Sequence, residues 1–191
     1  MGLLDGKVAI VTGAGGGLGR AHAMLLAQHG ASVVVHDLGG SRDGTGSGNS
    51  MADTVVEEIR AAGGQAAATY GSVTDDAAAA AMIQCAVDNF GRLDILINNA
   101  GILRDRSFKN MTDAEWDAVI DVHLRGSYLA TKHAWQQMLA QGEGGRIIMT
   151  SSTSGLIGNF GQANYGAAKA GVAGFMRVLA LEGMKYGITV N

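Results

Sequence analysis

Tyr165 and Lys169 stand four residues apart at the head of an apolar, helix-forming stretch. That spacing puts both side chains on one face of a helix. A phenol in water ionises near about pH 10. An ammonium beside it favours the phenolate, so Tyr165 is a candidate general acid or base at an alcohol or a carbonyl. Alone, a helical Tyr-x-x-x-Lys is commonplace and carries little. Shortly upstream, however, lies a hydroxyl cluster, Ser151-Ser-Thr-Ser154. A serine there can hold a substrate oxygen and stabilise the charge that develops on it. Spacing physics does not choose among Ser151, Ser152 and Ser154.

A second constellation reads as a nucleotide site. The segment Thr12-Gly-Ala-Gly-Gly-Gly-Leu-Gly19 follows a β-branched run and opens a helical one. Gly13 can take a turn that a Cβ would hinder. Gly17 lets backbone approach a pyrophosphate, and Gly19 lets the helix sit close on a sheet. The helix N-terminus then turns free N–H groups toward phosphates. The spacing is G-x-x-x-G-x-G rather than G-x-G-x-x-G, because Leu18 stands where the sixth residue would be Gly. Asp37 ends the next apolar run, 20 residues after Gly17. A carboxylate there accepts the ribose hydroxyls of an adenosine. It repels a 2′-phosphate by about 1–4 kcal/mol at contact distance. Position 16 is Gly16 rather than a basic residue, and Arg42, in a glycine-rich loop, reads as a solvated charge. NAD is therefore expected over NADP.

The remaining reactive side chains read as structure. His123 follows Trp116 by seven residues on the apolar stripe of a helix, so it points inward; a lone inward histidine is usually a satisfied core group. His22, His29, His36 and His133 show no metal-ligand spacing, and no metal site is expected. Cys85 is the single cysteine. It excludes an internal disulfide and fits a reducing compartment; the expected location is cytoplasmic.

These groups need a scaffold, and the pattern supplies one. Strands are predicted at Lys7–Val11, Ser32–His36, Gln65–Tyr70, Asp94–Asn98, Arg146–Thr150 and Ile188–Val190. Helices are predicted at Leu18–His29, Met51–Ala62, Asp75–Asn89, Asp113–Ala140 and Asn164–Tyr186. Regular βα alternation argues for an α/β fold: a Rossmann-type doubly wound parallel sheet with helices on both faces. Asn98-Asn-Ala-Gly101 and the serine cluster then fall at carboxyl ends of strands, where ligands bind in such sheets. A capping box, Thr112-Asp-Ala-Glu115, opens the fourth helix. Its stripe runs through Trp116, Val119, Ile120 and Leu124 to Trp135, Met138 and Leu139.

The 191 residues read as a single domain, 47% hydrophobic and 16% charged, which excludes a disordered chain. A net charge of −3 without a basic block argues against nucleic-acid or anionic-membrane binding. No apolar run approaches the roughly 18 residues of a membrane span, and the first residues lack a signal-peptide core. The last predicted strand is only starting at Asn191, so the domain is expected to lack its C-terminal part. The complete absence of proline fits that expectation.

Taken together, these residues resemble the short-chain dehydrogenase/reductase family over essentially the whole chain. The family's Thr-Gly-x-x-x-Gly-x-Gly corresponds to Thr12–Gly19, its Asn-Asn-Ala-Gly to Asn98–Gly101 and its Tyr-x-x-x-Lys to Tyr165–Lys169. The family's catalytic serine lies 13 residues before the tyrosine, which selects Ser152. The resemblance implies an NAD(P)-dependent oxidoreductase acting on CH–OH groups. Tyr165 would take the hydroxyl proton, Lys169 would hold the nicotinamide ribose, and Ser152 would bind the substrate oxygen together with Tyr165. Leu18, Ser72, Val73, Asn99, Ala100, Gly101 and Tyr165 would add cofactor contacts, with Asn99 in the ribose region. Most of the family has Asn where His123 stands, as a fourth catalytic member holding a relay water. The branch of the family that oxidises (3R)-hydroxyacyl-CoA resembles this chain in having His at that place, which implies His123 as the counterpart of that Asn. His36–Gly40, Gly101–Phe108, Val122–Gly126 and the stretch from Met149–Ser152 through Gly158–Tyr165 are similar to that branch too. The implied substrate is a 3-hydroxyacyl thioester. Alternatives are an NADPH-dependent 3-oxoacyl thioester reductase, a steroid or other secondary-alcohol dehydrogenase, and a non-catalytic dinucleotide-binding regulator. The resemblance also implies a homotetramer or homodimer through the fourth and fifth helices, where Gly166, Ala170, Gly171 and Gly174 permit close approach between helices, of two subunits or equally within one chain.

Overall fold

The computed structural model describes residues Gly2–Asn191. Six parallel strands form one sheet: β1 (Val8–Thr12), β2 (Ser32–Asp37), β3 (Gln65–Tyr70), β4 (Ile95–Asn98), β5 (Gly145–Met149) and β6 (Ile188–Val190). Their order is β3-β2-β1-β4-β5-β6. The chain winds outward from β1 to β3, then crosses back to β4, so the switch point falls between β1 and β4. The register sets Val11 beside Val35 and Ile97, and Asp37 beside Tyr70. The carboxyl ends carrying Thr12, Asp37 and Asn98 therefore share one edge.

Seven helices connect the strands: α1 (Gly17–Gln28), α2 (Ser50–Ala61), α3 (Asp76–Phe90), α4 (Asp113–Ile120), α5 (Gly126–Gln141), α6 (Thr153–Leu156) and α7 (Ala163–Gly183). The two-residue period of the strands divides the core into two layers. Val8, Ile10, Val34, Leu96 and Ile147 meet Met82 and Ile83 of α3, Leu129 and Met138 of α5 and Val172 of α7. Ala9, Val11, Val33, Val35, Ile95 and Ile97 meet Ala23 of α1 and Val55, Val56 and Ile59 of α2. This second layer stops short of β5 and β6, where Ile148 is 42% exposed and Arg146 and Thr189 are also uncovered. The strands around the switch point are covered by helices on both faces, as expected of a doubly wound sheet.

The predicted elements are in place with ends displaced by at most one residue, except that the last helix ends at Gly183, three residues before Tyr186, and that one stretch is irregular. The stretch Asp113–Ala140 is helical throughout, as expected, but not regularly α-helical. A five-residue π-turn, Asp121–Arg125, separates α4 from α5. Such turns add one residue to a helical ladder and recur at functional sites. Thr112 makes the capping box with Glu115. Asp75 proves to be the N-cap of α3, accepting from the N–H groups of Ala77 and Ala78, rather than its first residue. Leu139, expected on the buried stripe, is exposed. Among the described residues no helix is long and apolar enough to cross a membrane.

Candidate active site

The glycine turn between β1 and α1 has the conformation its sequence calls for. Gly13 and Gly17 have φ of +65° and +52°. A Cβ on Gly13 would lie 2.8 Å from Ala100 Cα, and one on Gly19 would collide with the Gly13 carbonyl. At Gly17 nothing lies within 4 Å of the place a Cβ would take. The N-cap of α1 is Gly16, with no side chain bonded to the free N–H groups. The turn is braced from β4. Thr12 Oγ1 donates to the Ile97 carbonyl and accepts from the N–H groups of Asn99 and Ala100. Asn99 Nδ2 donates to the carbonyls of Thr12 and Gly13. The amide nitrogen of Asn99 thus helps to shape the turn.

Asp37 ends β2 as expected. Its Oδ2 accepts from Gly15 N–H at 2.7 Å and its Oδ1 from Gly39 N–H at 2.6 Å. Each oxygen keeps a lone pair for a hydroxyl. Gly15 carries no signal of its own in the sequence. Its Cβ would stand 2.9 Å from the Asp37 carboxyl carbon, so glycine there sets the carboxylate. Between these groups opens a cavity of about 800 Å³, within the roughly 300–1,000 Å³ of small-molecule sites. Gly13, Gly17, Leu18, Asp37, Ser72, Val73, Asn99, Ala100 and Gly101 all line it. Leu18 is 68% exposed over its mouth. Val73 is buried against Gly126. An uncapped helix end, a backbone cradle with room beside Gly17 and a carboxylate at the far end fit an adenine dinucleotide.

The predicted proton-transfer residues gather past the Gly101 end of this cavity. The ring of His123 lies on Gly101, where any Cβ would collide with it. Tyr165 meets His123 edge-on, ring centroids 5.0 Å apart at 85°. Lys169 Nζ is 5.7 Å from the Tyr165 ring centroid and donates to the carbonyl of Thr150, just past β5. Lys169 is buried, and loss of hydration pulls its ammonium down from 10.5 to about 8. Burial first, then the positive charge of Lys169, push His123 down to about 4.

The serine cluster is set against α7 through α6. A Cβ on Gly155 would stand 2.7 Å from backbone atoms of Lys169 and Ala170, so only glycine allows so close an approach. The three serines then separate by hydrogen bonding. Ser151 Oγ donates to the Lys169 carbonyl, and Ser154 Oγ to Gln162 Oε1. Ser152, the N-cap of α6, accepts from Ser154 N–H. Its own proton has no acceptor among the described residues. Asn164, unremarked in the sequence, is fully buried beside Tyr165. It donates to the carbonyls of Arg104 and Glu115 and accepts from Tyr165 N–H, tying α7 to the β4–α4 loop and to α4.

Residues 7–191 match the family model described as short chain dehydrogenase. The chain belongs to the short-chain dehydrogenase family. It is similar to the peroxisomal multifunctional enzyme type 2 of Mus musculus, 55% identical over 98% of this chain and 25% of that protein. It is 45% identical to a 3-oxoacyl-[acyl-carrier-protein] reductase of Synechocystis sp., over 98% of this chain and 72% of that protein. A short chain dehydrogenase from Mycobacterium avium superposes with a TM-score of 0.92 at 52% identity, covering 100% of this chain and 67% of that one. The chain thus spans a quarter of the length of the mouse relative. Two of the small residues expected to let helices approach closely, between subunits or within the chain, pack within the chain. Gly171 faces Leu124 and Gly166 faces the Ser154 carbonyl, whereas Gly174 is open.

Proposed function

We propose that this chain is the dehydrogenase part of an NAD-dependent oxidoreductase. It interconverts a secondary alcohol and a ketone, with a (3R)-hydroxyacyl thioester, in the first instance the CoA ester, as substrate. One observation supports the reading: buried Lys169 has its Nζ 5.7 Å from the Tyr165 ring centroid, while Ser152, its proton unspent, is the N-cap of α6, which packs on α7 at Lys169. When bound, the nicotinamide supplies the acceptor for the hydride that leaves the alcohol carbon. Gly13 to Gly19 would hold the pyrophosphate by backbone N–H groups. Ser72, Val73 and Asp37 would hold the adenosine, and Asn99, Ala100, Gly101 and Lys169 the nicotinamide side.

Ser152 donates its proton to the substrate oxygen and orients it. Tyr165 takes the hydroxyl proton in oxidation and returns it in reduction. The ammonium of Lys169 stabilises negative charge on the phenol oxygen and on the substrate between them. The direction of the reaction follows the cofactor ratio, not these side chains. The chain reads as one dinucleotide-binding domain working as a homodimer or homotetramer. Exposed Tyr128, Val178 and Leu181 on α5 and α7 are the apolar surface available for that. The lone, half-buried Cys85 suits a cytoplasmic setting, while the name of the mouse relative places that enzyme in peroxisomes.

The Asp37 carboxylate, facing the cavity without a cation at position 16, favours NAD. A panel of 3-hydroxyacyl-CoA esters, carrier-protein esters and secondary alcohols, run with NAD and NADP on the full-length protein, tests the whole reading. NAD is expected to be preferred. Asp37→Ala should raise the KM for NAD about tenfold or more, the equivalent of losing roughly 1.4 kcal/mol of charge-assisted hydrogen bonding. Tighter use of NADP by the native protein would point instead to a 3-oxoacyl thioester reductase.

A further inference from the structure

The helix that carries Tyr165 begins without an ordinary cap. Gln162, the N-cap of α7, makes no side-chain bond to the free N–H groups of the first turn. Its amide is spent elsewhere, accepting from Ser154 Oγ and donating to Asp105. The N–H of Tyr165 is taken instead by the residue before it, as Asn164 Oδ1 accepts it at 2.8 Å. Such a bond satisfies one of the groups that a helix end leaves open.

The other end of the same side chain reaches away from α7. Asn164 Nδ2 donates to the Arg104 carbonyl at 3.1 Å and to the Glu115 carbonyl at 3.0 Å. The residue is fully buried. Two carbonyls and one N–H admit a single orientation of the amide, with both its protons and its oxygen engaged. Both anchors are themselves held. Arg104 Nε donates to the Asp43 carbonyl. Glu115 is fixed by its capping box with Thr112 and its ion pair with Arg106. With Gly101 and Ile102, Arg104 also forms part of the wall of the cofactor cavity. One amide thus joins that wall to the main chain of Tyr165.

We propose that Asn164 is a positioning residue for Tyr165: it holds the backbone from which the phenol projects in a fixed place relative to the cofactor wall. The proposal rests on the reading of Tyr165 as the acid–base group. Two further bonds join the same segments, Arg106 N–H to the Gly161 carbonyl and Gln162 Nε2 to Asp105. Neither touches Tyr165. Without the Asn164 amide they should keep α7 on the loop while the tyrosine loses its place.

The test compares Asn164→Ala with Asn164→Asp in the full-length protein, using NAD and a 3-hydroxyacyl-CoA. The aspartate keeps an acceptor for the Tyr165 N–H and at most one proton for the two carbonyls; the alanine keeps neither. Asn164→Ala should lower kcat about a hundredfold and Asn164→Asp about tenfold, the cost of ångström-scale misplacement of a reacting group. KM and NAD affinity should stay within about threefold in both. Hydrogen exchange reads the tie without turnover. In protein isotopically labelled at tyrosine nitrogen, the Tyr165 amide, assigned by its loss in Tyr165→Phe, should exchange at least about tenfold faster in Asn164→Ala and at about the native rate in Asn164→Asp. Native exchange in Asn164→Ala would overturn the proposal, and so would native kcat beside rapid exchange. A fall in kcat matched by weaker binding of substrate or NAD would overturn it too, since Asn164 would then hold the site together as a whole. Turnover of Tyr165→Phe, measured alongside, tests the underlying reading separately. Native turnover there would remove the acid–base role of Tyr165, whatever the exchange rates show.

Discussion

Of the three serines after β5, two have given their protons to the protein and Ser152 has not. That difference is set by backbone geometry around α6, and side-chain spacing in the sequence carries no trace of it. Lys169 shows the opposite case, since its chemistry follows from where a legible motif is buried. Its ammonium is pulled from 10.5 to about 8 by burial. Between those values the unfolded chain binds the proton and the folded one does not, so stability should rise with pH through this window. Below about pH 8 the burial cost is present in full. Compared with Lys169→Met, the native protein should gain up to about 3 kcal/mol as pH rises from about 8 to about 10.5, at roughly 1.36 kcal/mol for each step of one in pH. Urea unfolding of both proteins across this range measures it. Parallel stability curves would mean that the lysine is not held against its hydration. The variant should also lose turnover, a case of an active site kept at the expense of stability.

At the scale of elements, strand ladders and their helices were legible because β-branched runs and helical stripes have different periods. The switch point followed from the alternation. The π-turn was not legible. Asp121-Val-His-Leu-Arg125 contains nothing that breaks a helix, and one inserted residue leaves local propensity unchanged. Asn164 and Gly15 were equally silent, because their value lies in partners brought from distant segments. The same holds for Gly155, whose missing side chain lets α6 rest on α7 and carries Ser152 to the site. Gly155→Ala should force a Cβ into the backbone at Lys169 and Ala170, costing about 1–3 kcal/mol of stability. It should also lower kcat about a hundredfold by shifting Ser152. Gly166→Ala, whose Cβ would meet the Ser154 carbonyl at 3.0 Å, should do less of both. Thermal unfolding and kcat of the two variants side by side test this; equal effects would contradict the close seating of α6.

In the whole molecule, the sheet works as a ruler. The register of β1, β2 and β4 brings Thr12, Asp37 and Asn98 to one edge, and the long helix α7 delivers Tyr165 and Lys169 to the same edge from the other side of the switch point. On the proposed reading, the glycine turn and the serine–tyrosine–lysine group are separate devices, carried by different elements of the doubly wound sheet. It follows that they can be disabled separately. Tyr165→Phe in the full-length protein removes one hydroxyl at the catalytic end and nothing from the cradle. With NAD and a 3-hydroxyacyl-CoA, turnover should fall about 10²–10⁴-fold, while NAD binding, read by fluorescence titration, should stay within about threefold. Turnover equal to that of the native protein would contradict the account.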